Sequence, residues 1–189
     1  MSELDRLIYH CQQGELDAFS ELFQRCESQV YRLALTILKN EQDAEDAAQD
    51  VFLSVFRQIN RFQYQAAFST WLTAVVVNTC RDHLRRRKVR QVLSLDWIHP
   101  ETCPSGPGVS EDFEQKRQHT VLWDCIDQMD DRYRLPMILF YRQGLSAKET
   151  ALVLNLPVMT VYSRLNTARE MLQKQVRGQV KLAAPKGEV

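Results

Sequence analysis

The chain has 189 residues, 44% of them hydrophobic and 25% charged, which is ordinary for a soluble globular protein of one or two domains. No apolar run approaches the roughly 20 residues needed to span a membrane. The start, Met1–Gly14, carries Glu3 and Asp5 and lacks a basic-then-apolar signal pattern, so a cytoplasmic protein without membrane insertion is expected.

The formal net charge of zero conceals a segregated pattern. Residues 1–60 hold 5 Lys/Arg against 11 Asp/Glu, residues 61–90 hold 7 against 1, residues 91–131 hold 2 against 9, and residues 132–189 hold 10 against 3. Such blocks suit separate surfaces for separate partners, the basic ones for phosphates.

In chain order, Leu4–Gln13 reads as a short amphipathic helix stopped by Gly14. From Asp17, the apolar residues Phe19, Leu22, Phe23, Val30, Leu33, Ala34, Ile37 and Leu38 recur at helical spacing, and Lys39-Asn40 breaks the pattern. Asn40 or Asp43 can cap a third helix whose buried stripe is Ala44, Ala47, Ala48, Val51, Phe52, Val55 and Phe56. Asp43, Glu45, Asp46 and Asp50 lie toward its start, where acids complement the helix dipole. Residues 60–67 read as a loop of aromatic character, and Phe68–Lys88 as one long helix ending in Arg85-Arg86-Arg87-Lys88. Val89–Gln115, with Pro100 and Pro104-Ser105-Gly106-Pro107-Gly108, is a linker by composition.

Glu114–Met129 and Tyr133–Gln143 are helical, the second with Pro136 expected in its first turn, where a missing N–H matters least. Ser146 and Glu149 form a capping-box pattern opening a helix to Leu154, and Asn155-Leu156-Pro157 turns into a last helix from about Val158 to Val176. Residues beyond Gly178 read as a frayed tail.

A short capped helix, a three-residue turn and a longer helix match a helix-turn-helix. Val161, Leu165, Ala168 and Leu172 fall on its inward face, where they can pack against Ala151, Leu154, Leu139 and Ile138. Thr160, Tyr162, Ser163, Arg164, Asn166, Thr167 and Arg169 are left to reach base edges and phosphates in a major groove. On spacing alone, a helical hairpin with a solvated outer face explains this equally well; the basic C-terminal segment tips the choice to DNA. Earlier in the chain, Phe62, Tyr64, Phe68, Trp71, Arg81 and Arg85–Lys88 interleave rings with cations, a pattern suited to stacking unpaired bases along a strand. Phe68 and Leu72 read as core in either case.

No metal, cofactor or catalytic site emerges. Five widely spaced cysteines without a C-x-x-C read as reduced, mostly buried thiols, and Cys80 with His83 lacks a second ligand pair. Asp43, Asp46 and Asp50 share a face that no histidine joins in the pattern. Metalloprotease, nucleophile-elbow and phosphate-loop motifs are absent, so no enzyme is expected.

Three runs carry a family resemblance. The run from Asp43 to Phe52 resembles the polymerase-binding helix of extracytoplasmic-function (ECF) sigma factors of the sigma-70 family. Phe68–Leu72, continuing through Asn78–Arg86, resembles their −10-element helix, and Leu145–Ala151 with Leu156–Leu165 their −35-reading motif. The resemblance implies an all-α fold: a sigma-2-like helical bundle (1–90) for core polymerase and the −10 element, a flexible linker (91–114), a sigma-4-like helix-turn-helix domain (115–177) for the −35 element and the polymerase flap, and a tail (178–189).

It also implies roles. Asp46, Gln49, Asp50 and Phe52 match positions that grip the polymerase clamp. Residues 62–66, with Phe62 and Tyr64, match a loop that captures a flipped base, and Asn78, Arg81, Arg85 and Arg86 match positions along the −10 DNA; Trp71 is added to them from the ring–cation pattern, with a place in the core the equal alternative. Acidic Glu111, Asp112 and Glu114 match a segment threaded toward the RNA exit path, and Leu122–Tyr141 a flap-docking surface. The implied partners are core RNA polymerase, promoter DNA and an anti-sigma protein, with no cofactor. The reading helix departs from the family, which usually has Gly at Met159, a base at Tyr162 and often a base at Thr167. The competing reading is a helix-turn-helix regulator that acts without polymerase; it leaves the acidic helix and the aromatic-basic block unexplained.

Overall fold

The structure is a computed structural model that describes the backbone of residues 2–93 and 122–183, and side chains through residue 89 and from residue 122 to 175. Among the described residues the regular structure is helical, with no strand. The chain divides into two compact units, Met1–Ser105 and Gly106–Val189. The predicted linker from residue 94 on, its acidic residues, Cys103, and residues 114–121 of the next expected helix lie outside the described residues, as do residues 184–189 of the tail.

The first unit comprises α1 (Glu3–Gln12), α2 (Leu16–Leu38), α3 (Glu41–Gln58), a 3₁₀ turn (Ile59–Arg61) and α4 (Phe68–Leu93). Ser2 and Asp5 close a capping box on α1: the Ser2 hydroxyl accepts from the Asp5 N–H at 3.1 Å, and the Asp5 carboxylate accepts from the Ser2 N–H at 2.8 Å. Gly14 then takes φ +84°, a left-handed conformation that suits glycine, and the chain turns into α2. Lys39 caps α2 at φ 58°, and Asn40 opens α3 by accepting from the Asp43 N–H at 2.8 Å. Helices α2, α3 and α4 pack on one another, and α1 lies on α2. Their shared core joins Leu22, Val30, Leu33 and Ile37 to Ala44, Ala47, Val51 and Val55 and to Leu72, Val76, Val77 and Cys80.

Phe56 and the end of α4 differ from the sequence expectation, and Ala48 of the expected stripe is half-buried. Phe56 was expected in the buried stripe, but it is 50% exposed, because the inward row of α3 runs on from Val55 to Ile59. Helix α4 also continues to Leu93, so residues 91–93, expected in the linker, are helical; no glycine or proline interrupts the run before Pro100.

The second unit comprises α5 (described residues 122–127), α6 (Asp131–Met137), a π-helical turn (Ile138–Arg142), α7 (Ala147–Leu154) and α8 (Val158–Ala183). The Asp130 carboxylate caps α6 through the Arg132 N–H at 2.9 Å, so this helix starts before Tyr133 and Pro136 is its sixth residue rather than a first-turn residue. Proline there cannot donate back to the preceding turn, and the ladder shifts to π spacing just beyond it, with the Gln143 N–H bonded to the Ile138 carbonyl at 3.0 Å. Both halves of the Ser146–Glu149 capping box form on α7, and Asn155 ends it at φ 51°. The α8 backbone stays helical across Gly178 to Ala183, six residues into the expected tail; a glycine in a helix costs about 1 kcal/mol, which weakens the helix without ending it.

Val161, Leu165, Ala168 and Leu172 form the inward face of α8 and meet Ala151, Ala147, Met137, Met129, Ile126 and Cys125. Leu154, Ile138 and Leu139 are buried as expected. Leu165, 1% exposed, sits inside this cluster, so Leu165→Ala is expected to cost about 2–5 kcal/mol. Urea unfolding of the full chain followed by helical circular dichroism should show part of the transition moved to lower denaturant; an unmoved curve would place Leu165 outside a packed core.

Candidate functional site

Helix α3 presents its acids in two directions. Asp50 and Asp43 turn toward α4: the Asp50 carboxylate lies 2.8 Å from His83 Nε2 and that of Asp43 lies 3.4 Å from the Arg87 guanidinium. A histidine thus does join this acidic face, brought by the fold from 33 residues away. Glu45, Asp46 and Gln49 are exposed, and the same stripe continues into Leu53, 54% exposed, and Phe56. Phe56 meets Phe19 edge-on at 4.9 Å. The result is a surface that is acidic at the start of α3 and apolar toward its end.

Phe52 does not belong to that surface. It is 7% exposed and packs against Phe23 with ring centroids 4.3 Å apart, so it supports the face from within. Leu53 and Phe56 were missed from sequence, although their spacing of seven from Asp46 and Gln49 respectively places them on the same stripe.

The aromatic loop is built as a small cluster. Phe62 is buried, with Tyr64 at 4.7 Å, Phe68 at 5.6 Å and Trp71 at 5.4 Å from its ring. Phe62 is therefore the floor of the loop and not a ring open to a base, and Trp71 is half-buried between Phe62 and Phe68. Tyr64 is exposed at φ 55° and is the accessible ring. Its hydroxyl donates weakly to the Asp5 carbonyl at 3.4 Å; desolvation, then the Asp5 carboxylate, push the phenol above its usual range and keep it protonated. The Gln12 side-chain amide donates to the Ile59 and Phe62 carbonyls at 3.0 and 2.9 Å, so α1 holds the base of the loop.

Along α4, Asn78, Arg85 and Arg86 are exposed and Arg81 is half-buried. Arg85 lies 3.2 Å from Asp82, an exposed pair that leaves it solvated. Arg87 differs from its neighbours, being turned back to Asp43.

In the second unit the predicted reading residues divide between two flanks and a ridge. Met159, Thr160, Ser163, Arg164 and Thr167 line one side of an open cleft of about 470 Å³ whose other side is Arg132 and Tyr133 of α6. On the opposite flank, Arg169 donates to the Tyr141 hydroxyl at 2.7 Å and to the Asn166 side-chain carbonyl at 2.8 Å, with its guanidinium 5.7 Å from the Tyr141 ring centroid. Tyr162 is exposed on that flank. Met159, 76% exposed, and Ser163 form the outer lip of the cleft, and Asn166 and Glu170 continue that row as an outward ridge. The sequence reading left Arg132, Tyr141 and Glu170 out of the site, because the first two approach α8 only through tertiary packing.

No group of three metal-ligating side chains gathers among the described residues, and no helix there is long and apolar enough to cross a membrane. Cys11, Cys26, Cys80 and Cys125 are buried, and burial pushes the thiols of Cys11 and Cys26 up, away from reactive thiolates.

Comparison with known proteins gives two family matches: sigma-70 region 2 over residues 22–90 and sigma-70 region 4 over residues 119–172. The chain is 33% identical over 161 residues to the ECF RNA polymerase sigma factor SigM of Mycobacterium tuberculosis, covering 85% of this chain and 78% of that protein. It is 29% identical over 186 residues to the ECF RNA polymerase sigma factor SigW of Bacillus subtilis, covering 92% and 97%. Its fold resembles those of two solved structures. CnrH, in complex with the cytosolic domain of CnrY, has 24% identity and a TM-score of 0.63, over 91% of this chain and 96% of that one. The sigma factor RpoE, in complex with the anti-sigma factor NepR from Bartonella quintana, has 20% identity and a TM-score of 0.67, over 84% and 96%.

The two bonds from Gln12 carry an expectation. Gln12→Ala should speed amide hydrogen exchange across residues 59–66 while lowering global stability by only about 1–2 kcal/mol. Exchange unchanged in that loop would mean that α1 does not brace it.

Proposed function

The chain belongs to the ECF sigma factors of the sigma-70 family, and we propose that it divides that family's work among three surfaces of its own. As a member it binds core RNA polymerase and directs promoter recognition and transcription initiation. The division proposed is that the exposed stripe of α3 docks on the polymerase clamp, the Tyr64 loop and α4 take the strand-separated −10 element, and α8 reads the −35 duplex.

The observation that carries it is the exposure of Asp46 and Gln49 beside Leu53 and Phe56, while Asp43 and Asp50 are half-exposed and paired sideways with α4. An acidic rim with an apolar end suits a basic protein surface, where charge steers the encounter and apolar area holds it. In this scheme Phe52 supports the docking face, and Asp50 contributes through its outward side and its bond to His83. Tyr64 and Asn78 offer a ring and an amide edge to unpaired bases, with Phe62 and Trp71 as the packed floor; Arg81, Arg85 and Arg86 follow the backbone. Residues 1–90 then act on polymerase and the −10 element, 91–114 connect, and 115–177 act on the −35 element and the flap. The protein works in the cytoplasm and has no catalysis of its own. Because the RpoE relative was solved with an anti-sigma factor, an anti-sigma protein is proposed as a further partner.

Run-off transcription with core polymerase on genomic fragments tests the function: the chain should produce discrete transcripts that core polymerase alone does not. Asp46→Arg places the wrong charge on an exposed position and should weaken binding to core polymerase at least tenfold, about 1.4 kcal/mol, with an unchanged melting curve. Full affinity in that variant would remove α3 as the docking face. DNA binding without any association with core polymerase would favour the independent helix-turn-helix regulator.

A further inference from the structure

We propose that Arg132, on α6, seats a backbone phosphate of duplex DNA together with Arg164 in the cleft between α6 and α8. The proposal rests on the reading that α8 faces duplex DNA, and it adds a contact from outside the helix-turn-helix. Arg132 and Arg164 line the same open cleft as the hydroxyl-bearing Thr160, Ser163 and Thr167, with Tyr133 and Met159; the carboxylate beside it is that of Asp130, which engages Arg132 and is not among the lining residues. Two guanidiniums and hydroxyl donors around one open space match the donor set a phosphodiester takes.

The Arg132 side chain is also held in place. Its Nε lies 3.3 Å from Asp130, whose carboxylate already accepts the Arg132 N–H as the cap of α6, and its guanidinium lies 5.0 Å from the Tyr133 ring centroid. With Nε directed to Asp130, the terminal amino groups are left for the cleft. The side chain is 62% exposed, so it is solvated and able to exchange water for a ligand oxygen.

The cations of α8 make this contact matter. Tyr162 and Thr167 are uncharged, and Arg169 is drawn to Tyr141 and Asn166 on the other flank. Arg164 is then the cation that α8 itself brings to the cleft, and Arg132 adds a second guanidinium there, its charge partly offset by Asp130.

The test is fluorescence anisotropy of the full chain with duplexes of unrelated sequence, between about 50 and 200 mM salt. Arg132→Ala should weaken binding several-fold on every sequence and reduce the slope of log affinity against log salt by about 0.9. Arg132→Gln, which keeps the stem over Tyr133, should show the same loss, and Arg132→Lys should retain the slope. If Arg132→Ala or Arg132→Gln binds as the parent does while Arg164→Ala is weakened, the Arg132 seat is wrong and the reading of α8 stands. If neither Arg132→Ala nor Arg164→Ala changes affinity or slope, both fall together.

Discussion

The packing of α3 against α4 is the contact on which the first unit's polar surface depends. One helix is acidic and the other ends in a run of bases, and their polar edges meet at His83–Asp50 and Arg87–Asp43. The exposed Arg87–Asp43 pair contributes only about 0–1 kcal/mol. The stability comes from what lies beneath them: Ala44, Ala47, Val51 and Val55 against Val76, Val77 and Cys80, all within 1% of complete burial. What the pairs add is a direction. They engage two of the acids of α3 with α4, while Asp46 and Gln49 stand exposed in the outward stripe.

The same economy appears at the aromatic loop and in the second unit. Phe62 gives up its own exposure to build a floor, which leaves Tyr64 raised in a left-handed conformation that a non-glycine residue holds only when its surroundings fix it. Those surroundings include Gln12 and Asp5, so the N-terminal helix, which bears no recognition residue itself, positions the loop. On α8 the polar residues divide between a cleft shared with α6 and a flank shared with Tyr141, with a ridge between them. The outer face of α8 is thus shaped by its neighbours as much as by its own sequence.

Much of this was legible beforehand, for definite reasons. The capping box at Ser146 and Glu149, the Asn155 turn and the inward row Val161, Leu165, Ala168 and Leu172 are local patterns, and local patterns survive folding. The failures lie where a residue's surroundings come from elsewhere in the chain. Phe52 and Phe56 have similar apolar character, yet packing on α2 buries Phe52 against Phe23 and leaves Phe56 at the surface beside Phe19. Pro136 was displaced from a first turn by the side chain of Asp130. The meeting of His83 with Asp50, and of Arg169 with Tyr141, spans 33 and 28 positions and leaves no periodic trace.

The central claim is that a negative helix face holds a protein while two positive ones hold nucleic acid, and site-specific photo-crosslinking in the assembled initiation complex addresses it directly. A photoreactive side chain replacing Asp46 should crosslink to the largest polymerase subunit and to no DNA, and one replacing Ser163 should crosslink to upstream duplex DNA. Crosslinks from position 46 to DNA, or none from position 163 to DNA in a complex that transcribes, would contradict the account.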